Sequence, residues 1–439
     1  MARAHTRQPA AQQAGAPSAG APALERRIGI SGALVIGLAS MVGAGLFAAF
    51  APAAEAAGGA LLVGLAIALV AASCNALATA QLAAQYPSSG GSYLYGRERL
   101  GEWAGFTAGW GFVIGKTASA AAMALTAAAY LAPAGWMKPA AIVAIVLLVG
   151  ANLLGITRTT AIAAAIVATV LGLLAVLLVV TWTGSGADFG ATLAGLPDRI
   201  ALDFTAGPGV LGILQSAGLL FFAFAGYARI ATLGEEVRDP ERNIPRAIVI
   251  TLTLVAMIYI VVAITLIAVL GPEILAASDA PIALAVANIP WALPLAAIAA
   301  GLASLGALLA GLAGITRTAL AMSRNKDLPG VFGHINTRSS VPDYSLLLVG
   351  LAAIVLIVLG DIRTVIGFSS VGVLAYYLIA NLAALNQDDA HRFVPKGLQW
   401  IGAALCTILI VTLPWQSIAA GLFVLAVGLL GRVMVLQHR

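Results

Sequence analysis

From Ile30 to Ala57 the chain is apolar apart from one charge, Glu55, and this stretch limits the possible folds more than any other. A helix needs about 20 residues at 1.5 Å each to cross a bilayer, and the run is long enough. Its middle, however, holds Gly43-Ala44-Gly45-Leu46-Phe47, and glycine is the poorest helix former short of proline. In hydrocarbon every backbone N–H and C=O needs a partner. Non-helical backbone is tolerated there only where it is buried in protein or lines a cavity. The triplet therefore predicts either a helix broken at a binding site or a small-residue face on which another helix packs closely. A break would free N–H groups at the start of the outer half, suited to a carboxylate. It would also free carbonyls at the end of the inner half, suited to an ammonium or other cation.

The rest of the chain has the same character. Of 439 residues, 61% are hydrophobic and 9% charged, whereas soluble domains carry about 25% charged residues. This composition predicts an all-α polytopic protein embedded in a lipid bilayer. The net charge of +5 is dispersed among short connectors, which argues against nucleic-acid binding. Cys74 and Cys406 both lie in apolar segments and read as packing residues. Residues 1–24, rich in Ala, Gln, Pro and Gly, read as a disordered cytoplasmic tail and not as a cleaved signal peptide.

Apolar runs and their punctuation predict twelve spans near 30–56, 59–84, 103–131, 139–155, 160–182, 209–234, 246–270, 292–322, 344–360, 364–385, 398–413 and 415–436. Around Pro414 and Trp415 the sequence fits either a tight turn between two short spans or one kinked region. With the N-terminus inside, seventeen Lys and Arg fall on the cytoplasmic side, and only Lys138, Arg199 and Arg363 fall outside. The positive-inside rule then places both termini in the cytoplasm of a cell, with the chain in its plasma (inner) membrane. Lys116, Arg229 and Arg317 remain within spans.

The sixth span repeats the oddity of the first, with Gly226 and Arg229 inside the apolar run Phe221-Phe222-Ala223-Phe224-Ala225-Gly226-Tyr227-Ala228-Arg229. The first span runs outward and the sixth inward. Corresponding breaks in oppositely directed spans, five apart, are what an inverted five-plus-five repeat produces.

Four segments together resemble the amino acid–polyamine–organocation (APC) superfamily of transporters. They are Gly43-Ala-Gly-Leu-Phe in span one, Tyr86-Pro-Ser-Ser-Gly-Gly-Ser-Tyr after span two, Phe224-Ala-Gly with Glu235-Glu236-Val-Arg-Asp-Pro at the end of span six, and Arg317-Thr-Ala-Leu-Ala-Met-Ser-Arg-Asn-Lys-Asp-Leu-Pro at the end of span eight. The resemblance covers roughly residues 26 to 390. It implies a LeuT-like fold, with a transporter core over residues 25–390, discontinuous spans one and six, and two extra helices within residues 391–439. It also implies a substrate-binding set of Val42, Gly43, Ala44, Gly45, Phe222, Phe224, Ala225 and Gly226. There the substrate carboxylate meets N–H groups near Ala44 and Gly45, in agreement with the helix-dipole argument. The ammonium meets carbonyls near Val42, Phe222 and Ala225. Phe222 or Phe224 then acts as a lid or packs as ordinary core, and Glu25–Ser31 with Ser92–Leu100 moves with span one to gate the inside.

Lys116 lies about 20 Å along its helix from Trp103, near the middle of a core of about 30 Å. A lysine there costs several kcal/mol unless it is paired, neutral or facing water. Three readings fit: a lysine that takes up a proton during transport, one that holds an anionic group of the substrate, or one that bonds the exposed carbonyls of the broken helices. Arg229 reads either as an inner-gate partner of Glu235 or Glu236 or as a snorkelling side chain. Arg317 reads as structural, and Ser40, Ser304, Ser369 and Ser370 are further candidates for the pocket wall. The connector from Asn325 to Ser340 reads as free of chemistry.

No predicted span carries Asp or Glu near its middle, so neutral amino acids are favoured over basic ones and polyamines. No convergent pair of oxygen ligands for sodium is evident, and no metal or cofactor is expected. A membrane enzyme would need His, Asp, Glu or Ser gathered at depth, yet His5, His334, His391 and His438 all lie in cytoplasmic segments. The sequence thus predicts a secondary transporter of amino acids, sodium-independent and coupled to protons through Lys116. An amino acid or amine exchanger and a membrane amino acid sensor are the alternatives.

Overall fold

The computed structural model describes residues 26–87, 90–155, 160–184, 209–336 and 341–437, with isolated positions between 194 and 199. The expected tail over residues 1–24, and Ser88 and Ser89 of the Tyr86–Tyr93 motif, lie outside the described residues. Among those described, the regular structure is helical, apart from one isolated bridge between Ile28 and Val237. Among the described residues, nine helical stretches are long and apolar enough to cross a membrane, and Met137–Leu153, Asp343–Leu359 and Lys396–Thr412 are shorter apolar helices. The protein is therefore an integral, polytopic, all-helical membrane protein.

The first apolar run is three helices, α1 (Ile30–Met41), α2 (Ala44–Ala48) and α3 (Phe50–Ala57). Val42 and Gly43 leave helical geometry at φ/ψ −78°/74° and −140°/−145°, so the expected interruption falls at the glycine triplet. After α4 (Leu61–Gln85) comes α5 (Gly91–Leu100), a short helix between the second and third of the expected spans. Its composition lacks an apolar face, and it is held by packing along the start of α6 (Glu102–Leu131). Next are α7 (Met137–Leu153), α8 (Thr160–Gly184) and α9 (Gly209–Phe224). A 3-10 turn over Ala225–Tyr227 then interrupts the sixth apolar run before α10 (Ala228–Ala231).

The following run, expected near 246–270, is longer: α11 spans Pro240–Ala276. Pro240 is its first residue, where a missing N–H costs little, and Pro245 lies one turn further inside the helix. Near its far end Gly271 takes φ 75°, which bends the chain ahead of Pro272. The remaining helices are α12 (Pro281–Ala285), α13 (Leu293–Arg324), α14 (Asp343–Leu359), α15 (Ile362–Leu385), α16 (Lys396–Thr412) and α17 (Trp415–Gln437). Helix α16 ends at Thr412 and α17 begins at Trp415, so a tight turn separates them.

Burial sorts these helices into a centre and a rim. In the apolar window of α6 and of α15, 78% of residues are buried, against 28% in α8 and 22% in α17. The central pair approaches closely because glycines face each other: a Cβ on Gly372 would lie 2.7 Å from Gly115 Cα. Ser119 and Ser369 exchange a 2.8 Å hydrogen bond at the same crossing, and Ser369 Oγ also donates to the Gly115 carbonyl at 2.9 Å. Small residues and a few internal hydrogen bonds are what hold helices together where lipid supplies no hydrophobic drive.

Candidate functional site

The two interruptions lie against each other. A Cβ on Gly45 would fall 2.5 Å from Ala223 Cα, and one on Gly226 would fall on the Ser40 carbonyl and 2.6 Å from Met41 Cγ. Only glycine permits these two approaches. From α11, the Tyr259 hydroxyl reaches both breaks, at 2.6 Å from the Met41 carbonyl and 3.0 Å from that of Ala223. A buried tyrosine needs such a partner, and here it ties two chain segments whose helical bonding is incomplete. At the first break, Gly43 N–H donates to Met41 O at 2.9 Å and Leu46 N–H to Gly43 O at 3.1 Å. Ala44 and Gly45 occupy the first turn of α2, where amides have no acceptor within the helix.

At the second break the Ala225 carbonyl accepts Lys116 Nζ at 3.0 Å and the Tyr377 hydroxyl at 3.4 Å. Lys116 thus sits on one of the carbonyls expected to meet a substrate ammonium. Beside it opens a cavity of about 60 Å³, large enough for several waters. Its wall combines Ser40 of α1, Phe112, Lys116 and Met123 of α6, Gly226 and Arg229 around the second break, Thr232, and the α13 residues Ala307, Ala310, Gly311, Gly314 and Ile315. Ala307, Ala310, Gly311 and Gly314 share one helical face by their spacing. Their small side chains leave the room that Lys116 and Arg229 occupy. A second, smaller hollow shares Phe112 and Thr232 with the first and runs towards Gly90–Tyr93.

Several expected residues are placed elsewhere. Phe222 and Phe224 are buried and absent from the cavity wall, and the Phe224 ring packs on Tyr259 with centroids 5.0 Å apart. The aromatic ring facing the cavity is Phe112, which the sequence did not single out. Ser304, Ser369 and Ser370 are fully buried outside that wall, whereas Ser40 lines it while bonding the Ile36 carbonyl at 2.8 Å. Arg229 Nη1 reaches Thr232 Oγ1 at 3.3 Å, and Glu236 is held by Arg317 at 3.3 Å.

Two further clusters close the ends of the helices around the cavity. Near α2 and α3, the Tyr130 hydroxyl donates to the Phe47 carbonyl at 2.9 Å and accepts Ile282 N–H at 3.2 Å. Arg363 joins Glu55 to the Ala276 carbonyl on the same side. At the opposite end, Asp327 is buried beneath Tyr93 (2.7 Å), Arg97 (3.0 Å) and Arg432 (3.0 Å). Burial, then the neighbouring Asp327 carboxylate, pushes the Tyr93 hydroxyl well above the usual tyrosine range and keeps it a donor. Asp327 lies in the connector that read as free of chemistry, and Arg432, expected in a cytoplasmic end, is 1% exposed inside α17. Neither was legible, because each is identified only by partners far away in the chain.

The amino acid permease family model matches residues 28–434. An uncharacterized transporter of Mycobacterium tuberculosis is 49% identical over 411 residues, 92% of this chain and 90% of its own. Cationic amino acid transporter 2, vacuolar, of Arabidopsis thaliana is 29% identical over 407 residues, 87% of this chain and 62% of its own. The branched-chain amino acid permease of Bacillus subtilis is 24% identical over 447 residues, 94% of each. With a family match that runs from α1 to α17, this chain belongs to the amino acid permeases of the APC superfamily.

Proposed function

We propose that the protein is a sodium-independent secondary transporter that carries amino acids, neutral ones in preference to basic ones, by alternating access. The observation that supports this most is the meeting of two interrupted helices at one cavity, bridged by Tyr259. The amino acid group binds across the breaks, its carboxylate at the amides of Ala44 and Gly45 and its ammonium at the carbonyls of Val42, Phe222 and Ala225. Gly45 and Gly226 let the two chains approach, Gly43 breaks the helix ahead of the carboxylate site, and Phe222 and Phe224 support the site from behind. A cationic side chain is disfavoured because the cavity already holds Lys116 and Arg229.

The nine long apolar helices and three shorter ones, taken in chain order, support twelve spans. The paired breaks support the inverted repeat of a LeuT-like fold. The excess of Lys and Arg in alternate connectors supports both termini in the cytoplasm, in the plasma (inner) membrane.

Lys116 is the proposed proton-coupling residue. Its bond to Ala225 O stands where a substrate ammonium binds, so substrate displaces the lysine and changes the environment of its charge. Arg229 is the inner-gate residue, because it lies between the cavity and the Arg317–Glu236 pair.

Uptake of labelled amino acids into proteoliposomes, with and without an inward proton gradient, tests the reading. Accumulation driven by the gradient and reduced to equilibration in Lys116→Ala is the expected result. Uptake that ignores the gradient and requires amino acid inside the vesicles would instead identify an exchanger.

A further inference from the structure

We infer that the cavity beside the two breaks contains a subsite for a small monovalent anionic group, held by Lys116 and Arg229. The inference rests on the permease reading and adds to it the chemistry of what accompanies the amino acid group. Among the described residues that line the cavity, two are cationic and none is acidic. Glu235 and Glu236 follow six and seven residues beyond Arg229 but lie outside the wall, and Glu236 Oε1 is bound by Arg317. Two cations on the wall of one cavity within a low-dielectric bundle, with no acid beside them in that wall, make it a favourable place for an anion.

The donors for such an anion are present. An ammonium has three and a guanidinium five. Among the described residues, Lys116 spends one on Ala225 O at 3.0 Å, and Arg229 spends one on Thr232 at a long 3.3 Å. The opposite wall is shaped for a ligand as well. A Cβ on Gly311 would meet nothing within 4 Å, and one on Gly314 would stand 3.5 Å from Arg229 Nη1. The cavity therefore opens at Gly311, in front of the guanidinium.

Two sources supply such a group. One is the side-chain carboxylate of an acidic amino acid whose α-amino and α-carboxyl groups occupy the breaks. Ser40 and Gly226 belong to both the breaks and the cavity wall, so a side chain extends naturally from one into the other. The other source is a free halide that binds together with a neutral amino acid.

Binding of isosteric pairs to the purified protein tests the subsite. Glutamate against glutamine, and aspartate against asparagine, are titrated by thermal shift in chloride and in gluconate buffer. Tighter binding of the acidic member by tenfold or more, with the preference lost in Arg229→Gln, supports a substrate carboxylate. Glutamine binding that weakens tenfold or more when gluconate replaces chloride, and no longer does so in Arg229→Gln, supports a free halide in the same place. Glutamine binding that exceeds glutamate binding and ignores chloride in the parent protein overturns the subsite and leaves the permease reading standing. If no amino acid binds, both fall. The parent protein alone distinguishes these outcomes, so poor folding of a variant does not obscure them.

Discussion

Helix α6 meets cations along both of its halves, and the two sites are built in opposite ways. Near its start, Arg432 lies 4.5 Å from the Trp103 ring centroid and bonds the Glu102 carbonyl at 2.6 Å, Glu102 Oε2 and Asp327 Oδ1. Asp327 in turn accepts Arg97 and Tyr93, so opposite charges and donors meet at close range. In its middle, Lys116 and Arg229 face a cavity whose described wall supplies hydroxyls, a carbonyl and apolar groups but no carboxylate. Buried ion pairs with good geometry hold a structure in one arrangement. Cations left facing open space are what a ligand or a proton acts on. The comparison therefore separates a clamp from a site, although both use the same residue types.

The clamp gives the largest expected effect. Replacing Asp327→Ala leaves Arg97 and Arg432 with the exposed Glu102 as their one shared acid, and removing the buried partner in this way costs about 3–5 kcal/mol. Denaturant unfolding of purified protein should show a correspondingly lower midpoint. A loss below about 1 kcal/mol would mean that the cluster is solvated and is no clamp.

Next in size are the glycines, which probe whether close approach or open space is needed. Gly226→Ala places a methyl group on the Ser40 carbonyl and should destabilise by about 1–3 kcal/mol while abolishing uptake. Gly311→Ala meets nothing within 4 Å, and its better helix propensity should leave stability unchanged or raise it by up to about 1 kcal/mol. Equal stability changes at the two positions would show that the breaks are not in contact as described.

At the site itself the sign should reverse relative to the clamp. Lys116→Met removes a charge at membrane depth for the loss of one hydrogen bond, and a hydrophobic replacement of a buried charge is often neutral or stabilising. The unfolding midpoint should stay level or correspond to a gain of about 1 kcal/mol, while uptake falls. A loss of stability like that of Asp327→Ala would make Lys116 a structural residue.

The contrast between clamp and site was half legible in the sequence. Apolar length alone located most of the long helices to within a few residues, with α11 extending further at both ends, because hydrocarbon imposes both composition and span length. Glycines inside apolar runs located the interruptions, because a poor helix former at membrane depth has few other uses. Lys116 and Arg229 stood out for their cost in lipid. Asp327 did not, because a polar connector is an ordinary place for an acid, and its partner Arg97 is 230 residues away. Nothing in the apolar runs marks Tyr259 and Tyr130, whose roles are set by the broken-helix carbonyls that their hydroxyls reach. The helical form of Gly91–Leu100 was hidden because its partner, α6, supplies the packing that its own sequence lacks.

The smallest effect belongs to an exposed counterpart of the clamp. Arg99 meets Asp388 through two bonds, Nη2–Oδ2 at 2.5 Å and Nη1–Oδ1 at 2.9 Å, joining α5 to the turn after α15. The Arg99 hydrogen bond holds the Asp388 carboxyl below its ordinary value of 3.8. A carboxyl whose folded value is depressed stabilises the fold above the unfolded value and loses that contribution as pH falls through the folded one. The pair should thus be fully effective above about pH 5 and fade as the medium becomes more acidic than 3.8. Because Asp388 is exposed, water and salt screen it, and the effect should be slight and shrink further at high ionic strength. Unfolding midpoints followed from pH 6 down to pH 3 should fall more steeply for the parent than for Asp388→Asn. Parallel curves would show that the exposed pair, unlike the buried one at Asp327, adds nothing to the hold on α5.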